Sequence, residues 1–179
     1  MSRSDPYRAV AASIREDFVP KDAYLSRRWL ELENERLWPR VWQIACRNEE
    51  VARVGDYVTY DIADESIIIV RVSATEIKAY NNACRHRGGQ LTEGCGRANT
   101  FRCRYHGWTW KLDGSVAKIA ELDDWKGCPG MRPEELRLKE VKTGSRGGFV
   151  FINMDADAEP LLEFLRPLPE YLDAFEFDR

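Results

Sequence analysis

Four residues constrain this chain more than any others: Cys84 and His86 in Cys-Arg-His, then Cys103 and His106 in Cys-Arg-Tyr-His. Residues 87–102, sixteen in all, separate the two pairs. Each pair puts a thiol and an imidazole on one tight loop, so a fold that turns the two loops toward a common point can close them around iron or zinc. The chain has only two histidines, and both fall in this pattern. Either pair alone would be weak evidence, because a lone buried Cys or His is usually inert core.

The rest of the composition bounds what the loops can be mounted on. A chain of 179 residues, 44% of them hydrophobic, can bury one sizeable core. A formal net charge of -3 leaves no basic excess to neutralise phosphates, so nucleic acid is not an expected partner. No apolar run approaches the roughly eighteen residues of a membrane span, and the N-terminus lacks a signal-type apolar region, so a cytoplasmic location and no membrane are expected. Five cysteines are an odd number in a chain too large to need staples, which fits a reducing compartment and metal-binding thiols. Cys46, Cys95 and Cys128 lie outside the pattern.

Residues 1–40 are expected to form an N-terminal arm and helix. The first twenty are polar and punctuated by Pro6 and Pro20, with a helical turn near Ala9–Asp17. Ser26 is placed to cap a helix through Trp29, Leu30, Glu31 and Leu32 that Pro39 stops near Leu37. Trp29, Trp38 and Trp42 are expected to bury large apolar area here. From Val41 the pattern is that of short strands: Val41–Cys46, Tyr57–Ile62, Ser66–Ser73 and Glu76–Tyr80, with turns at Arg53–Asp56 and 63–65. Leu136–Thr143 alternates and Phe149–Asn153 returns after Arg146-Gly-Gly148, which indicates a hairpin. Short helices are expected at Leu161–Leu165 and Pro169–Phe175. The fold class is therefore mainly β, with stacked antiparallel sheets, an N-terminal helix and short C-terminal helices.

Zinc sites of the Cys2His2 kind usually pair Cys with Cys on one loop and His with His on the other. Here each loop carries one of each. That arrangement suits a 2Fe-2S cluster, with two cysteines on one iron and two histidines on the other. Gly88, Gly89, Gly94, Gly96 and Gly107 would let backbone approach inorganic sulfide. A structural zinc domain remains the alternative. Arg85, Arg87, Arg97, Arg102 and Arg104, with Lys111 and Lys118, form either a rim that steers an acidic partner or a solvated, ion-paired surface. Trp108, Trp110 and Trp125 are expected to buttress the loops, and Cys95 to be a free thiol.

Cys84-Arg-His-Arg-Gly88 followed by Cys103-Arg-Tyr-His-Gly-Trp108 and Asp113-Gly114 resembles the Rieske motif of aromatic-ring-hydroxylating oxygenase α subunits. Trp38-Pro-Arg-Val-Trp42, Val54-Gly-Asp-Tyr57, Phe149–Asn153 and Pro169-Glu-Tyr-Leu-Asp173 are similar to the family's flanks, so the resemblance spans roughly residues 24–176. It implies a Rieske 2Fe-2S domain over residues 41–155 with Cys84 and Cys103 on the inner iron and His86 and His106 on the outer. Residues 156–179 would then be a linker toward a catalytic domain. The implied function is that of an oxidoreductase component: electrons pass from a ferredoxin or reductase to a mononuclear Fe(II) that hydroxylates an aromatic ring, as in aromatic hydrocarbon catabolism. The implied assembly is a homotrimer or α3β3 complex. Arg104 departs from the small residue the family more often has.

Two absences refine this expectation. Rieske proteins of the respiratory type carry a disulfide between the loops and a serine after the second His-Gly, where this chain has Gly89, Tyr105 and Trp108. A potential at the lower end of the Rieske range, on the order of -150 mV, is therefore expected. Second, a mononuclear iron site needs two histidines and a carboxylate, and both histidines are already committed. No residue of this chain is expected to be catalytic, and oxygenation is not expected from it alone. A free-standing Rieske-type ferredoxin is the other redox reading. Substrate stays open among polycyclic, monocyclic and quaternary-ammonium compounds.

Overall fold

The computed structural model describes residues 19–125, 127–128, 132, 134–172 and 175. The expected helical turn at Ala9–Asp17 and the Pro129, Gly130 and Pro133 stretch lie outside the described residues. The chain divides into two compact units between Leu37 and Trp38. In the first, α1 (Asp22–Leu25) precedes α2 (Arg27–Leu32), which widens into a π turn over Glu33–Leu37. Ser26 has the extended backbone of an N-cap and its carbonyl accepts from Trp29 N and Leu30 N, yet its hydroxyl makes no capping bond. The helical run ends at Leu37, ahead of Pro39, whose ring has no N–H to continue it.

Among the described residues of the second unit, ten strands form two antiparallel sheets. They are β1 (Gln43–Arg47), β2 (Asp56–Ile62), β3 (Glu65–Arg71), β4 (Ile77–Asn81), β5 (Cys95–Arg97), β6 (Thr100–Arg102), β7 (Thr109–Lys111), β8 (Val116–Lys118), β9 (Glu140–Arg146) and β10 (Phe149–Asn153). The larger sheet runs β1-β10-β9-β4-β3-β2-β5, and β6-β7-β8 make the smaller one. The mainly β class holds. The three-residue strands β5 to β8 are too short to show a period in sequence.

β3 explains why four apolar residues stand in a row. Ile67 through Val70 are all fully buried, and successive side chains on a strand point to opposite faces. Ile67 and Ile69 join Val51, Val141, Val150 and Ile152 on one side. Ile68 and Val70 join Tyr80, Phe101, Trp108 and Trp110 on the other. Each such side chain contributes about 1.5–3 kcal/mol, so β3 is fixed in register by two cores at once.

The expected strand at Leu136–Thr143 begins only at Glu140. Leu136 and Leu138 are buried, but in the core beneath the Cys/His loops, where the Leu136 carbonyl accepts the Trp110 indole N–H at 2.8 Å. Alternation records burial on one side; it does not say whether a neighbouring strand is there to pair with. At the C-terminal end, α3 (Leu161–Phe164) and α4 (Leu168–Leu172) fall near the expected helices. Leu161 packs with Trp42 and Phe151, and the Trp42 indole N–H donates to Glu159 O at 2.9 Å. Trp42 is thus buried, whereas Trp29 and Trp38 are half-buried. No described helix is long and apolar enough to cross a membrane.

Candidate metal centre

The two Cys/His segments fold into the same turn. In the first loop the Cys84 carbonyl accepts from Gly88 N and Cys84 N donates to Gly89 O, both at 2.8 Å. In the second the Cys103 carbonyl accepts from Gly107 N at 3.0 Å and Cys103 N donates to Trp108 O at 2.8 Å. Gly88 and Gly107 have φ of +71° and +72°. Residues with a Cβ rarely adopt that left-handed backbone, so a glycine four residues past each cysteine is dictated by the turn. Gly94 and Gly96 do other work. Gly94 exchanges hydrogen bonds with Thr59, and Gly96 pairs with Tyr57 on β2, so both secure β5 rather than line the loops.

A buried asparagine ties the first loop to the sheet. Asn82 Nδ2 donates to Ser66 Oγ and Thr92 O, while Oδ1 accepts from Leu91 N and Thr92 N. All of its hydrogen-bonding capacity toward the fold is used. Sequence reasoning passed over Asn82; its only local signal is a polar residue just ahead of Cys84.

Above this base the four candidate donors sort by type. Cys84 and Cys103 are 4% and 3% exposed and lie in the core with Ile68, Val70 and Tyr80. Burial, with the neighbouring Cys103 adding to it, raises the Cys84 thiol above the ordinary cysteine value despite opposing N–H groups of His86 and Arg87. His86 and His106 face each other edge to face, ring centres 4.8 Å apart. His86 is half-buried and His106 exposed. Burial, then His106 and Arg87, lower the His86 imidazole below its ordinary value, which favours the neutral ring with a lone pair to give. Nδ1 of His86 is buried without a hydrogen-bond partner. A buried polar atom left unpaired is rare, and a metal would satisfy it. Among the described residues no three His, Cys, Asp or Glu side chains converge as on a single ion; these donors form a thiol pair and an imidazole pair.

Aromatic rings hold the imidazole side in place. Trp108, 3% exposed, stacks on His86, and Trp125 meets both rings edge-on at 5.6 and 5.9 Å. The tryptophans buttress the loops, as expected. The surrounding charge is mixed. Arg97 is paired with Asp56 at 2.8 Å, and Arg85 donates to Glu135 O. Arg102, Arg104 and Lys118 instead line, with Tyr105, His106 and Glu121, a cleft of about 710 Å³. Cys95 is an exposed free thiol, and burial pushes the Cys46 thiol up to about 12.

Fold and loops together define a β domain presenting a candidate metal centre on two loops. Residues 41–140 match the Rieske 2Fe-2S domain, and the chain belongs to that family. It is 35% identical over 155 residues to a carnitine monooxygenase oxygenase subunit from Acinetobacter pittii (strain PHEA-2), covering 86% of this chain and 40% of that protein. It is 32% identical over 157 residues to an anthranilate 1,2-dioxygenase large subunit from Acinetobacter baylyi (strain ATCC 33305 / BD413 / ADP1), covering 87% and 33%. A solved quaternary ammonium Rieske monooxygenase in complex with L-carnitine superposes with a TM-score of 0.78 at 35% identity, over 87% of this chain and 44% of that one. The chain therefore spans less than half the length of these relatives.

Proposed function

We propose that Cys84 and Cys103 hold the inner iron and His86 and His106 the outer iron of a 2Fe-2S cluster. The domain would relay electrons from a ferredoxin or reductase to a mononuclear iron within an oxygenase. The observation that carries this reading is the sorting of donors, thiols buried and imidazoles outward, with His86 Nδ1 buried and unpaired. When bound, the cluster supplies a one-electron carrier. The chain's own part is to exclude water at the thiol side and to present His106 at the surface. The exposed cations beside His106 favour an acidic donor and its fast, salt-sensitive approach.

Both histidines are used by the cluster in this reading, so oxygenation requires a further iron site of two histidines and a carboxylate. That site belongs to residues beyond these 179 or to another chain, and the working form is a multimer such as a homotrimer. A quaternary ammonium compound and an aromatic ring are the two substrate kinds to test first, after the carnitine and anthranilate enzymes. Five cysteines, none of them in a disulfide, fit a cytoplasmic setting.

Iron and sulfide analysis of anaerobically purified protein, with EPR after dithionite reduction, tests the reading. Two irons, two sulfides, a rhombic signal and a midpoint on the order of -150 mV are expected. One zinc without sulfide would overturn it.

A further inference from the structure

We infer that Tyr105 is a positioning residue for the metal loops, holding the loop of Cys84 against the loop of Cys103 through contact with Gly89. The inference rests on the ligand reading above. A Cβ built at Gly89 would stand 2.8 Å from both Cδ2 and Cε2 of Tyr105, closer than carbon atoms approach without displacement. Gly89 is not among the glycines with positive φ. Its backbone is one that any residue can adopt, so conformation does not demand glycine there. Space does, and the Tyr105 ring sets that space.

The contact joins the parts that matter. Gly89 O accepts from Cys84 N at 2.8 Å, so a displaced Gly89 moves the first cysteine directly. The same Cβ would lie 3.8 Å from Cys103 Sγ, an ordinary contact, so Gly89 neighbours the second thiol as well as the ring. Tyr105 itself sits between Cys103 and His106 in the chain and is 68% exposed. Its ring therefore closes the two loops from the solvent side, over thiols that are themselves buried.

The experiment compares holoprotein of wild type, Tyr105→Phe, Tyr105→Ala, Gly89→Ala and the Gly89→Ala/Tyr105→Ala double variant. The readouts are iron release to excess chelator and the midpoint from EPR-monitored reduction. Tyr105→Phe keeps the ring and should release iron at the wild-type rate. Tyr105→Ala and Gly89→Ala should each release it about tenfold faster, the scale of an outer-shell loss at a metal site. The Tyr105→Ala midpoint should shift upward, because water then favours the more negatively charged reduced form. The double variant should be no worse than Tyr105→Ala, since the ring that the added methyl would strike is gone. An empty Tyr105→Ala beside a loaded Tyr105→Phe supports the inference equally. Equal release rates in all variants, or independent additive effects of the two alanines, would overturn it. Wild type lacking two irons and two sulfides overturns the ligand reading as well.

Discussion

The indole of Trp108 lies parallel to the imidazole of His86, with ring centres 4.9 Å apart and 12° between the planes. Trp108 belongs to the second loop and His86 to the first, so the stack fixes an imidazole of one loop with a side chain of the other. Offset stacking of this kind adds about 0.5–1.5 kcal/mol beyond the area buried.

Trp108→Ala should therefore lower stability by about 3–5 kcal/mol, the range for deleting a buried tryptophan. It should also broaden the cluster's EPR signal by freeing the His86 ring. Trp108→Phe retains a stacking face and should recover most of the signal. Urea unfolding and EPR on the same preparations decide; a sharp, unchanged signal in Trp108→Ala would show that the stack does not orient His86.

Asn82→Ala leaves Leu91 N, Thr92 N and Thr92 O without their buried partner. An unsatisfied buried polar group costs about 1–3 kcal/mol, and here the loss falls at the base of the first loop. The expected result is a lower urea midpoint together with faster iron release. Unchanged release with lowered stability would confine Asn82 to holding the sheet.

Cys84→Ala and His106→Ala should each abolish the visible absorption of the cluster, because each removes one of two donors to an iron. Chelator stripping of wild type should likewise lower its unfolding midpoint, since metal binding to the folded state adds to its stability. A full spectrum in either variant would remove that residue from the ligand set.

Acid should weaken the β2–β5 edge. Asp56 accepts from Arg97 Nε and Arg53 N at 2.8 Å each, and these bonds, Arg97 first, hold its carboxyl below the ordinary 3.8. A carboxylate whose value is lowered on folding stabilises the fold above its unfolded value and loses that contribution as pH falls through the folded one. From about pH 4 downward, wild type should thus lose stability more steeply than Asp56→Asn. Parallel urea midpoints for the two proteins across that window would exclude the pair as an acid-sensitive contact.

The sequence by itself determined the two Cys/His pairs as candidate donors, their order on two loops, the glycines at positions 88 and 107 and the strands of the larger sheet other than β5. These are local matters: residue type, spacing and period-two burial act within a few positions along the chain. Tertiary structure alone decided which alternation became a strand. Leu136 and Leu138 alternate as well as β9 does, yet they lie in the core beneath the Cys/His loops, where Leu138 N donates to Gly114 O and the Leu136 carbonyl accepts the Trp110 indole N–H rather than a ladder partner. Tertiary structure also gave Asn82 its four bonds, set the Trp108 ring on His86 and brought Tyr105 onto Gly89. At positions 89 and 105 the sequence showed only that cysteines are missing. That a ring fills the space between the loops depends on two segments sixteen residues apart in the chain meeting face to face, and such a meeting is set by the packing of the whole core rather than by any local pattern.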